Sequence, residues 1–157
     1  MRSMLALLGI TLALALPAAP VLASDLSVSD PWARPTPPGS RVGAGYVQIL
    51  NGGDSARRLL SAESPLAGSM EIHTMIEEDG MMRMRKLAEG LEIPAGGRVE
   101  LKPGAEHLMF FSPTQAFVEG ETIPVTLIFD GEERLEVPFI VSDRSGRMHG
   151  GHGAHAH

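Results

Sequence analysis

Cysteine is the first absence: none of the 157 residues is a cysteine. For an exported chain this excludes disulfide staples, a lipid-bearing anchor cysteine, thiol catalysis and any thiolate metal site. It also excludes a blue-copper electron-transfer centre, which needs a thiolate ligand. Aromatic residues are only 4% of the chain, and Lys plus Arg number 13 against 19 Asp plus Glu. A chain this acidic has no electrostatic footprint for nucleic acid, and it carries no polybasic patch for a membrane surface. Convincing 3.6-residue periodicity is missing, so helices should be few and short. No internal repeat is visible, and G-x-S-x-G and paired His-Asp spacings are missing too.

Long apolar runs are equally scarce. The one such run, Met4 to Leu16, follows Arg2 and precedes Val21-Leu22-Ala23. A basic start, a short apolar stretch and small residues at the cleavage position describe a secretory signal peptide, residues 1–23. The apolar part is too short to span a bilayer, and no later segment approaches 18 apolar residues. The expectation is a mature protein without a membrane span, one unit more negative than the whole chain's −6. Its length suits one domain with its own core.

Gly (18) and Pro (12) are plentiful and fall between short strand-like pieces. "RVGAGYVQIL" precedes "NGGDS", and "RRLLSAES" ends at Pro65. "SMEIHTMI" and "MMRMRKL" flank "EEDG", and "GLEIPAGGRVELKPGAEHLMFF" holds three β-prone pieces. "TIPVTLIFDGEERLEVPFIV" reads as a final hairpin turning at Asp130-Gly131. Strands of this length, punctuated this regularly, predict an all-β sandwich or barrel over residues 24–142. "RPTPPGSRVG" is expected to be an exposed loop. Beyond Ser142, "DRSGRMHGGHGAHAH" has almost no bulky apolar residue, so residues 143–157 are expected to form a flexible tail.

The stretch "EIHTMIEEDGMMRMRKL" (Glu71 to Leu87) sets one histidine among methionines. With Glu77 to Gly80 as the loop, Ile76 faces Met81 and His73 lies opposite Met84. A slip of two residues leaves the faces unchanged, because side chains alternate with period two. Cross-strand partners have Cβ atoms roughly 4.5–5.5 Å apart, within reach of one metal ion. A second pair follows at "EHLMFF", where His107 and Met109 project the same way from a strand. Methionine sulfur is soft and neutral, and together with imidazole it favours Cu(I) over Cu(II) or a hard cation. Methionine is also a common core filler, and a lone strand histidine is ordinarily structural. Spacing alone leaves both readings standing.

The segments "EIHTM…EDGMMRMR", "IPAGGRVELKPGAEHLMFF" and "IPVTLIFDG" resemble the periplasmic copper chaperone family called PCu(A)C. "DPWARPTPPGSRVGAGYVQILNGG" resembles that family's N-terminal strand and loop, so the likeness covers roughly Ser27 to Val141. It implies a cupredoxin-like Greek-key β-sandwich with His73, Met84, His107 and Met109 as Cu(I) ligands. Met75 could serve as an alternate thioether, while Met70, Met81 and Met82 have no place in the motif and are assigned to core or rim packing. The resemblance further implies delivery of copper to the CuA subunit of cytochrome c oxidase, directly or through a Sco-type thiol partner. A monomeric periplasmic protein, not an enzyme, is the expectation.

The tail offers Met148, His149, His152, His155 and His157 as a second metal site. Short His-rich tracts bind borderline ions, Cu(II) among them. Two other readings remain: periplasmic copper buffering or resistance, and a metal-free β-sandwich assembly module using Trp32 and Tyr46 as anchors.

Overall fold

The computed structural model describes residues 24–144. The expected signal peptide, residues 1–23, and the tail donors Met148, His149, His152, His155 and His157 lie outside the described residues. Ten strands account for the fold: β1 (Leu26–Ala33), β2 (Val42–Asn51), β3 (Arg57–Glu63), β4 (Ala67–Glu78), β5 (Met81–Lys86), β6 (Leu91–Ile93), β7 (Arg98–Leu101), β8 (His107–Pro113), β9 (Thr122–Phe129) and β10 (Arg134–Val141). One 3-10 turn, Asp130–Glu132, joins β9 to β10 where the final hairpin was expected. The sequence punctuation thus marks the strands, apart from the turn between β4 and β5. The Pro-rich segment before β2 is, as expected, largely exposed loop.

The strands follow one path, β5-β4-β8-β2-β1-β10-β9-β3-β6, with β7 pairing β2 beside β8. β1 joins the two halves, running antiparallel to β2 and parallel to β10. A register shift between Ser29 and Trp32, with Asp30 at φ 51°, bends it at that junction. The core draws on both ends of the path: Met70, Ile72, Leu108 and Phe110 from one half, Leu59, Ile123, Leu127 and Phe139 from the other. The sheet therefore folds over itself into two layers around one apolar interior.

Period-two alternation explains which side chains reach that interior. β9 buries Ile123, Val125, Leu127 and Phe129, and β10 buries Val137, Phe139 and Val141. Each such side chain is worth roughly 1.5–3 kcal/mol on burial. Space for the aromatic cluster comes from β2. A Cβ on Gly43 would stand 2.8 Å from Phe117, and one on Gly45 would stand 2.8 Å from Phe110. Those two glycines let Phe110 and Phe117 pack edge to face at 5.1 Å directly beneath the strand.

The β4–β5 hairpin corrects one expectation. Its turn is the two residues Asp79 and Gly80, at φ 53° and 75°, and pairing continues to Glu78 and Met81. Two central residues with positive φ make the tight turn whose twist suits a hairpin, and an Asp-Gly pair suits it best. Glu77 and Glu78 thus belong to the strand, where Glu78 accepts hydrogen bonds from Arg85. The register moves by two, so Met84 lies opposite Met75, and His73 lies opposite Lys86. The faces survive the shift, as period two requires.

Candidate metal centre

On β4, Met70 and Ile72 point into the core, so Glu71, His73 and Met75 point to the outer face. On β8, Leu108 and Phe110 point inward, leaving His107, Met109 and Phe111 outward. The ladder between them sets Glu71 against Met109 and His73 against His107. Across the hairpin, Met84 and Lys86 share that face. One outer surface therefore collects every histidine and four of the methionines among the described residues, Met75, Met82, Met84 and Met109.

An outward face should be wet, yet His107 is only 5% exposed and Met109 9%. The cover comes from the loop between β7 and β8 together with Arg34 and the neighbouring strand β2. β7 and β8 both pair with β2, at Leu101↔Val47 and Leu108↔Gly45. The chain between them bulges out as Lys102–Glu106, closed by a 2.8 Å bond from Lys102 N–H to the Glu106 carbonyl. Pro103 and Gly104 of that bulge, with Arg34, Ala44 and Tyr46, wall a cavity of about 260 Å³ that also contains Met75, Met84, His107 and Met109.

The two imidazoles are oriented differently. His107 Nδ1 donates to the Ala105 carbonyl at 2.9 Å, so in the neutral ring Nε2 keeps its lone pair. Fixing one ring nitrogen in this way is how metal-binding histidines are held ready. His73 Nε2 donates to Glu71 at 2.8 Å, and Glu71 also accepts from Lys86 Nζ at 2.8 Å. The Lys86 bond first, and the His73 bond second, hold the Glu71 carboxyl below its ordinary range. His73 Nδ1 is then a buried nitrogen with no hydrogen-bond partner in the described structure. An orphaned buried acceptor is costly unless something else occupies its lone pair. The two rings lie 6.0 Å apart between centroids, and Phe111 closes the other side of His73 at 6.0 Å.

The electrostatics are those of a neutral donor set. Burial pushes the Tyr46 phenol up, against a smaller opposing effect of Arg34, so it stays protonated and supplies no hard phenolate. Among the described residues, no group of three or more His, Asp or Glu side chains could hold a metal ion. Any ion bound here would therefore rely on thioethers.

The structure brings Met84, His107 and Met109 to one cavity and sets His73 beside it. It adds Met75, which the corrected register places directly against Met84. Met70 lies in the core, whereas Met81 and Met82 at the hairpin tip are 56% and 58% exposed. Trp32 and Tyr46 are buried and stacked with centroids 4.4 Å apart. Arg144 lies over Trp32 at 4.7 Å and pairs with Asp30 at 2.7 Å. Sequence reasoning missed Glu71 and the Ala105 carbonyl. Glu71 carried a signal, being two residues from His73 and so on its face.

The chain is similar to the apo PCuAC domain from PmoF1 (TM-score 0.63, 20% identity, covering 76% of this chain and 94% of that one). It is also similar to apo-DR1885 from Deinococcus radiodurans in solution (TM-score 0.60, 28% identity, 91% and 96% covered). The fold is cupredoxin-like. The chain belongs to the family described as "Putative lipoprotein LpqE-like", whose model matches residues 26–141. Within the curated proteins, Lxx21020 of Leifsonia xyli subsp. xyli is 31% identical over 124 residues, 79% of this chain and 74% of that one, and shares the lipoprotein description.

Proposed function

We propose that this protein is a periplasmic Cu(I) metallochaperone in which His73, Met84, His107 and Met109 hold the metal as cargo. The observation that carries the reading is the convergence of soft, neutral donors from β4, β5 and β8 on one covered outer face, with His107 Nε2 free and His73 Nδ1 orphaned. Two thioethers and two imidazoles leave the charge of the ion unneutralised, which favours the monovalent state. Structures similar to this chain include a copper-bound PCuAC domain from PmoF2 and CuI-DR1885, which lends support. Met84, 45% exposed, leaves an edge at which an acceptor's thiolates can replace the ligands stepwise. The acceptor we infer is the CuA subunit of cytochrome c oxidase or a Sco-type thiol protein. One imidazole bonds to a carboxylate and the other to a carbonyl, and we read the role as binding and transfer of the ion.

The lipoprotein description of the family fits export to the cell envelope. Nowhere in these 157 residues is there a cysteine to carry the lipid, so we read this member as reaching the periplasm through its signal peptide. The His-rich tail would collect Cu(II), because imidazole is a borderline ligand.

The test is anaerobic Cu(I) loading followed by mixing with apo acceptor domains. One Cu(I) per chain, passed to a CuA or Sco-type domain, is the expected result. A chain that takes up no Cu(I) would end the chaperone reading. Cu(I) held but passed to neither acceptor would favour copper buffering.

A further inference from the structure

A second hollow, of about 270 Å³, opens beside the metal cavity, across β8 from the hairpin. It shares Arg34, Ala44 and Met109 with that cavity and adds Pro35, Pro37 and Val42. The β2–β8 ladder sets its floor: Ala44 lies opposite Met109, and Val42 lies opposite Phe111. Gly43 and Phe110, between those pairs, face the core. The outward strip is apolar, and Val42 is 45% exposed.

The wall of the groove is preformed. Between Arg34 and Arg41 the loop holds three prolines, each of which fixes its own φ. Thr36 donates its N–H to the Phe117 carbonyl at 3.0 Å and accepts the Phe117 N–H on its hydroxyl at 2.9 Å. The Arg41 carbonyl accepts from Ser112 N–H at 2.8 Å. A surface pinned in this way has little ordering entropy to lose when a partner binds.

Charge marks the partner. Arg34 and Arg41 stand exposed at the two ends of the loop, and neither forms an ion pair among the described residues. Apart from these two and Arg98, every described lysine and arginine is paired with a carboxylate. Glu71, opposite Met109 on β4, is already held by Lys86. In a chain of net charge −6, two unpaired guanidinium groups flanking one apolar groove reverse the sign locally.

We propose that this groove is the docking surface for the copper acceptor, which presents to it an apolar side chain flanked by carboxylates. The proposal rests on the transfer reading above and names the surface and the partner chemistry that transfer requires. The apolar side chain packs on Pro37 and Val42, and the carboxylates meet Arg34 and Arg41. Because the groove and the metal cavity share a wall, a partner seated in one lies against the other. A lipid surface fits less well. Two basic groups give little hold on an anionic leaflet, and the acidic remainder of the chain is repelled by it.

The experiment is stopped-flow transfer of Cu(I) from the loaded full-length chain to apo CuA and Sco-type domains, with the second-order rate read at several salt concentrations. Arg41, Val42 and Arg98 lie outside the metal cavity, so variants at each should keep native Cu(I) affinity in chelator competition. Circular dichroism checks that each keeps its fold. Arg41→Glu should slow transfer about 10-fold at about 0.1 M salt, and by much less at about 1 M. Val42→Thr should slow it about 4-fold at any salt, the worth of one buried methyl group. Arg98 is the control: it is also unpaired but lies opposite Leu50, roughly 25 Å from Val42 along β2. Arg98→Glu should change the rate less than about 2-fold, because a charge that far away is screened.

Equal slowing by Arg41→Glu and Arg98→Glu would mean that overall charge alone steers the encounter, and would overturn the proposal. So would native rates in both Arg41→Glu and Val42→Thr, or a Cu(I) affinity weakened by Arg41→Glu. Binding to phosphatidylglycerol vesicles, or self-association, that Arg41→Glu abolishes would give the groove to lipid or to a second copy and overturn it as well. A native chain that passes Cu(I) to neither acceptor removes the transfer reading, and the docking surface falls with it.

Discussion

His73 and His107 face each other across the β4–β8 ladder but are held in opposite tautomers. His107 gives its Nδ1 proton to Ala105, and His73 gives its Nε2 proton to Glu71. Each therefore keeps a lone pair on the other nitrogen, and neither spends it on the protein.

Long-range nitrogen–proton NMR of the apo protein should show this directly. With both imidazoles neutral, His107 should report the Nδ1–H form and His73 the Nε2–H form. Glu71→Ala should convert His73 to a mixture and leave His107 as it was, because the Ala105 carbonyl is untouched. The same tautomer on both rings would contradict the hydrogen-bond assignment.

Met84 and Met109 differ in burial, and that separates binding from stability. Replacing either by leucine removes a thioether and keeps the volume, so each should weaken Cu(I) binding about 10-fold or more, as losses at metal sites do. Met84→Leu should leave the apo melting temperature unchanged, since surface substitutions stay within about 0.5 kcal/mol. Met109→Leu, at a buried position, is allowed up to about 1.5 kcal/mol of loss. Chelator competition and thermal melts measure both quantities; a Met84→Leu variant with native affinity would take Met84 out of the site.

Gly45 tests the scaffold under the site. A Cβ there would stand 2.8 Å from a Phe110 ring carbon and 3.3 Å from Phe139, so one of two packed rings must move. Gly45→Ala should cost about 1–3 kcal/mol, the usual range for overpacking. Urea denaturation of the apo protein reads the cost. Phe110 directly follows Met109, so Cu(I) affinity should fall with stability, unlike in the methionine variants. An alanine at 45 without loss would mean that the ring contacts are looser than the geometry shows.

The architecture was legible because its signals are local. Gly and Pro punctuation marked the strand ends, and period two put His73 with Met75 and His107 with Met109 whatever the register. The register itself was not legible. It turned on whether Glu77 and Glu78 belong to a loop or to a strand, and their charge favours a loop on composition. What decided it was a backbone property, positive φ at both Asp79 and Gly80, together with ion pairs from Glu78 to Arg83 and Arg85. The consequence was chemical, since it exchanged His73 for Met75 as the partner of Met84. The cover over His107 was equally hidden. It depends on β7 and β8 sharing β2 as a neighbour, a long-range pairing that no local spacing encodes.

Arg34 bears on which oxidation state the cavity accepts. Among the described residues it is the one charged side chain lining a cavity otherwise walled by thioethers, an imidazole, Tyr46, Ala44, Pro103 and Gly104. Its repulsion of a bound cation scales with the charge of that cation, so a divalent ion suffers twice the free-energy penalty of a monovalent one. Arg34→Gln should therefore strengthen Cu(II) binding by about twice the free energy by which it strengthens Cu(I) binding, with both gains shrinking at high salt. The tail histidines would mask a Cu(II) titration, so the comparison belongs in a chain ending at Arg144, which keeps the contacts of Arg144 with Trp32 and Asp30. Equal shifts for the two ions would mean that Arg34 acts on the shape of the cavity and not through its charge. A larger gain for Cu(I) would place the selectivity for the monovalent ion wholly in the thioethers.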